Sequence, residues 1–160
     1  MDVKELFAEI ATAPVVKRAI TNHEALNEAY DYGSAFSRGM RIDLNGITIL
    51  LISGTASIDD VGCTVHVGDL RAQVRRTFDN ITKLLASEGA TWHDIVRTTC
   101  YLRDIERDYE AFNDERTTFY KQQALDPLPA STGIQAILCR PDLLVEIEAI
   151  AMFRRESPTE

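Results

Sequence analysis

Two carboxylates near the end of the chain, Glu146 and Glu148 in the run LLVEIEAIAMF, stand two residues apart. In a strand that spacing turns both to one face, alternating with Leu144 and Ile150. A carboxyl group set among apolar residues is driven toward its protonated form by desolvation, which suits a general acid or base. The same pattern also fits a structural carboxylate paired with an arginine. A second stretch, PLPASTGIQA, places Ser131, Thr132 and Gly133 at the entry to an apolar run. Their hydroxyl and backbone N–H groups can hold a ligand oxygen or a water, or simply begin a strand. An activated serine is not indicated, because His23, His66 and His93 are scattered and no motif sets one beside a nucleophile. Cys63, Cys100 and Cys139 are too far apart for a zinc pattern or a disulfide framework. They read as reduced structural thiols, with Cys100 in the core.

These groups need elements to hold them. Val3, Leu6, Phe7 and Ile10 follow helical spacing, so residues 1–14 form a helical extension that Pro14 stops. VVKRAI can form a short strand, and YDYGSAFSRG is a loop punctuated by Gly and Ser. MRIDLNGITILLISG reads as a hairpin with Asn45-Gly46 at its turn. Asp69 is a helix cap, followed by Leu70, Val74, Phe78, Ile81, Leu84 and Leu85 at helical spacing until Gly89. DIVRTTCYLRD is a β-branched strand. Ile105, Tyr109, Phe112 and Phe119 mark a second helix. Two strands, 131–139 and 143–153, then close the chain as a hairpin around Arg140-Pro141-Asp142.

The order predicts one α+β domain over residues 15–155, with a tail at 156–160, and a single mixed sheet covered on one face by two helices. ITILLIS and LLVEIEAIAMF are apolar on more than one face, so the uncovered side predicts an oligomer in which sheets pack together.

The chain has 160 residues and a net charge of −8, a poor match to a phosphate backbone. The basic cluster Arg71, Arg75 and Arg76 reads as a solvated or subunit-facing helix surface. The N-terminus lacks the basic start and apolar core of a signal peptide, and no apolar run is long enough to span a membrane. A cytoplasmic protein with no nucleic-acid or membrane partner is expected.

LLISGTASID, FDNITKLLASEGATWHDIVRTTCYLRD and VEIEAIA together resemble the Rid superfamily, also called YjgF-type, over roughly residues 33 to 153. The resemblance implies chorismate-mutase-like α+β subunits joined as a homotrimer, with a barrel-like core of sheets and small-molecule sites between subunits. It implies hydrolysis of enamines and imines to ketoacids and ammonia, without metal or cofactor. It also admits a chorismatase-like or ring-fission enzyme acting on a cyclic carboxylate. A non-enzymatic metabolite-binding trimer is the third reading.

Carried over by position, the family's strand-end pair falls on Ser53 and Gly54, its helix asparagine on Asn113, and its catalytic acid on Glu146. Its substrate-gripping PARS motif falls on Pro129-Ala130-Ser131-Thr132, so Ser131 takes the place of the arginine and Gly133 that of the cysteine. Its early tyrosine becomes Phe36. A hydroxyl cannot make the forked carboxylate contact of a guanidinium. Arg38, beside the altered SAFSR motif, is the preferred substitute for the missing charge, ahead of Arg140. Tyr30, Tyr32 and Phe36 are candidates for an aromatic lid, or equally for core.

Overall fold

The computed structural model describes residues 2–5, 8, 14–21, 26 and 33–154. Leu6, Phe7, Ile10, His23, Tyr30, Tyr32 and the tail at 156–160 lie outside the described residues. The strands are β1 (Val16–Ala19), β2 (Gly39–Leu44), β3 (Ile47–Ala56), β4 (Ile95–Leu102), β5 (Ala130–Gln135) and β6 (Val145–Arg154). The long helices are α1 (Leu70–Ser87) and α2 (Ile105–Gln122), and a short 3-10 helix at Trp92–Asp94 leads into β4.

Local chemistry sets the element ends. Asn45 and Gly46 take φ of 49° and 75°, the left-handed pair that a two-residue hairpin turn requires. Asp69 accepts a hydrogen bond from Ala72 N at 3.0 Å and starts α1. His93 lies in the 3-10 turn, whose Thr91 and Asp94 form a capping box.

The sheet runs β1-β2-β3-β6-β4-β5. Every neighbouring pair is antiparallel except β4 and β5, which are parallel. The expected closing hairpin is therefore absent. β6 enters between β3 and β4, while β5 becomes the outer strand beside β4. The reason lies in what each strand can bury. β6 alternates Val145, Ile147, Ala149 and Ala151 into the core and pairs along both sides. β5, ASTGIQ, has little to bury and is exposed throughout. A parallel partner requires a crossover, and α2 supplies it.

Both helices cover one face. Against them lie Leu50, Ile52, Thr98, Cys100, Leu102 and Ile147, all buried. Phe78, Trp92, Phe119 and Tyr120 form an aromatic cluster, with Phe78 stacked on Phe119 at 4.6 Å and edge-on to Trp92 at 5.4 Å. The other face is open in the single chain: Leu51 is 41% exposed and Met152 45%. Register places Met40 beside Leu51 and Ile42 beside Ile49 on that same side.

Candidate functional site

The residues with chemistry fall into two cavities, built on opposite faces of the sheet. The first is about 680 Å³ and lies at the open-face end of β3 and β6. Phe36, Arg38, Ser53, Gly54, Glu146 and Glu148 line it. A β-bulge makes it possible. Ile52 pairs with Ala149 and Thr55 with Ile147, so β3 carries one extra residue at Ser53-Gly54. Ser53 Oγ donates to Ser37 O at 2.7 Å and Ser53 N to Arg38 O at 3.1 Å, which ties the entering loop to the bulge.

Gly54 has no side chain because Glu146 occupies that space. A Cβ at residue 54 would collide with Glu146 Oε1 and lie 2.9 Å from its Cδ. Burial pushes the Glu146 carboxyl above its ordinary value of 4.5, and the nearby Glu148 adds to the shift. Tyr101 pairs with Glu146 across β4 and β6. Burial and the two carboxylates push its phenol up as well. Arg38 is only 4% exposed, with its guanidinium 5.5 Å from the Phe36 ring centre.

The loop from 138 to 143 closes the cavity and supplies Cys139 and Arg140. Two buried or half-buried side chains set its path. Arg103 donates to Leu143 O at 2.6 Å and to Arg140 O at 2.5 Å. Gln73, fully buried on α1, donates to Asp142 O at 2.9 Å and accepts from Leu144 N at 2.8 Å. Gln73→Leu leaves those two backbone groups without their partner. It is expected to cost about 1–3 kcal/mol, read as a drop in thermal midpoint.

The second cavity, about 560 Å³, lies on the helix-covered side between α2 and the chain entering β5. Ser131 is found here, beside Thr98 in the β4–β5 register. Its Oγ is 3.1 Å from Thr98 Oγ1 and accepts from Arg116 Nη1 at 3.1 Å. Arg116 Nη2 donates to Asn113 Oδ1 at 2.7 Å. Gly133 faces the same side, with room for a Cβ 3.7 Å from Tyr109. Cys100 is buried near Ser131, and burial pushes its thiol up, consistent with a core role.

Within the single chain, two of the sequence-based candidates lie apart from Ser131. Thr132 does not join Ser131: strand alternation turns it to the open face, where its Oγ1 accepts from Arg97 Nη2 at 2.8 Å. Arg38 lines the Glu146 cavity of its own chain. The guanidinium at Ser131 belongs to Arg116, a residue absent from the sequence-based candidates. Its signal was present: Arg116 follows Asn113 by three residues on one helix, so both share a face.

Among the described residues, no group of three or more His, Cys, Asp or Glu could hold a metal ion. None of the described helices is long and apolar enough to cross a membrane.

A protein-family model described as Endoribonuclease L-PSP matches residues 25–153. The 3-aminoacrylate deaminase RutC of Acinetobacter baylyi is 32% identical over 103 residues, spanning 64% of this chain and 78% of that protein. A RutC family protein of Haemophilus influenzae is 33% identical over 111 residues, spanning 69% of this chain and 82% of the relative. The YjgF gene product of E. coli superposes with a TM-score of 0.70 at 25% identity, over 86% of this chain and 99% of that one.

Proposed function

The chain belongs to the Endoribonuclease L-PSP family, the YjgF or Rid group, and on that premise we propose that it is a cofactor-free deaminase for small enamine or imine carboxylates, assembled as a homotrimer. The observation that carries this reading is Glu146, a half-buried carboxyl held toward its protonated form beside Gly54. The deaminase name of the Acinetobacter baylyi relative supports it. The open sheet face, with Leu51 and Met152 exposed, supports assembly through that face.

The two cavities are then half-sites. Each chain offers its Glu146 cavity to one neighbour and its Ser131 cavity to the other. In the proposed reaction the protonated Glu146 gives its proton to the enamine carbon, leaving an iminium. A water adds to the iminium carbon while Glu146 takes a proton back. The resulting amino alcohol passes its hydroxyl proton to nitrogen, expels ammonia and leaves a carbonyl group, a ketone from 2-aminoacrylate and an aldehyde from 3-aminoacrylate. Atoms balance as enamine plus water going to carbonyl compound plus ammonia, and Glu146 ends as it began.

Ribonuclease action is not favoured. Arg71 and Arg75, the exposed basic cluster of α1, are committed to Asp114 and Glu115 of α2 at 2.9–3.3 Å. Those cations are neutralised within the fold rather than presented to phosphates.

The test is ammonia release from freshly generated 2-aminoacrylate and 3-aminoacrylate, with chorismate run in parallel. Ammonia release from an aminoacrylate is the expected result, together with a trimer mass in solution. Chorismate turnover alone would move the assignment to a chorismatase-type hydrolase. Binding without turnover of any of them would refute the enzymatic reading.

A further inference from the structure

The helix-side cavity contains more than the sequence comparison suggested, and its parts point to a ligand. Arg116 is not simply near Ser131; it is held. Its guanidinium lies 5.1 Å from the ring centre of buried Phe112, while Asn113 and Ser131 each accept one N–H. No carboxylate among the described residues comes within ion-pair distance of it. Beyond Asn113 and Ser131 no oxygen among those residues accepts from it, and the only other acceptor it meets there is the Cys100 thiol. A fork fixed in place with donors to spare is the arrangement that binds an anion.

Tyr120 gives an independent sign. It lines the same cavity, is 7% exposed, and its Oη has no hydrogen-bond partner among the described residues. Thr98 Oγ1, the nearby hydroxyl, gives its proton to Ser131 and does not meet Tyr120 Oη at hydrogen-bonding geometry. A buried hydroxyl without a partner is costly unless a ligand or water supplies one.

The lining sets the size and charge of that ligand. Leu125, Leu128 and Pro129 make apolar walls. Within one chain the charged lining groups are Arg116, Lys121 and Asp126, a net of one positive charge, and the facing half-site sets Arg38 and Arg140 against Glu146 and Glu148, a balance that favours a monoanion. The volume, about 560 Å³, leaves room for an apolar body beyond the carboxylate.

We propose that Arg116 is the anion anchor of this cavity, moved from strand to helix, and that the cavity takes a monocarboxylate carrying an apolar body, with Tyr120 Oη giving it a second hydrogen bond. This deepens the deaminase reading by naming its substrate class, yet binding can be tested without turnover.

The experiment is calorimetric titration of the full-length protein with benzoate, benzamide and inorganic phosphate. Benzoate is expected to bind, and benzamide and phosphate at least about tenfold more weakly. Arg116→Gln should lose at least about tenfold in benzoate affinity, and Arg116→Lys most of that, because the fork is gone. Tyr120→Phe should weaken benzoate several-fold while leaving the thermal midpoint equal or higher, since it deletes an unpaired buried hydroxyl. A purely structural hydroxyl would lower the midpoint and leave affinity alone.

No benzoate binding, equal binding of phosphate, or unchanged affinity in Arg116→Gln would each overturn the proposal. Turnover separates it from the reaction. An Arg116→Gln protein with wild-type kcat/KM on an aminoacrylate refutes the anchor and keeps the deaminase. Arg116-dependent benzoate binding with no turnover keeps the anchor and refutes the deaminase.

Discussion

Glu146→Gln is expected to lower turnover by about 10²–10⁴-fold and, at the same time, to raise the thermal midpoint at neutral pH. The two effects share one cause. Burial makes the ionised Glu146 carboxylate unfavourable, and Glu148 adds repulsion. Glutamine keeps the shape and removes both the charge and the transferable proton. The sign of the pH dependence follows from the upward shift. A carboxyl whose folded value lies above 4.5 contributes its full stability below that pH, where both states are protonated. The contribution is lost as pH rises through the folded value. The gain from Glu146→Gln should therefore be present at pH 7 to 8 and vanish near pH 4, as read by melting curves across pH. In the kinetics, the protonated form starts the cycle, so kcat/KM should fall on the alkaline side as Glu146 ionises. Glu148→Gln removes one upward push, so that limb should move to lower pH. A limb that stays in place would show that Glu148 does not act on Glu146.

The second large effect is expected at Gly54. Gly54→Ala should cut turnover by about 10²-fold while shifting the thermal midpoint little. The glycine is required here for space: an added Cβ lands on Glu146 Oε1, the far end of a flexible side chain. That end can swing away cheaply, so the fold survives. The carboxyl then leaves the position beside the bulge, so the chemistry does not. Gly133→Ala is the contrasting change, because a Cβ there meets Tyr109 only at 3.7 Å. It should leave stability essentially unaltered. If Gly54→Ala kept full activity, the position of Glu146 against the bulge would be irrelevant to function.

Much of the fold was legible because its signals are local. Asn45-Gly46 fixes a hairpin through backbone conformation alone. Asp69 caps α1 with its own carboxylate. The two-residue spacing of Glu146 and Glu148 puts them on one strand face, whatever that strand pairs with. The strand order was not legible. Val145–Arg154 follows Ala130–Gln135 in the chain and looks like its hairpin partner, yet it pairs with β3 and β4. That choice depends on how much apolar surface each strand buries against helices far away in sequence.

The same non-local choice governs the candidate site. Residue types nominated Glu146 and Ser131, because carboxylates and hydroxyls in those settings have a limited range of uses, and the family resemblance added Gly54 and Asn113. Alternation then sent Ser131 to the helix side and Thr132 to the open face, a difference that adjacent letters conceal. The missing positive charge was sought near Phe36 because that motif is altered; within the chain the cation at Ser131 is Arg116 on α2. A sequence determines which groups exist and which local turns and faces they take. Which of them meet is decided by burial, since only packing of the whole chain sets β6 in the sheet centre and brings α2 alongside β5.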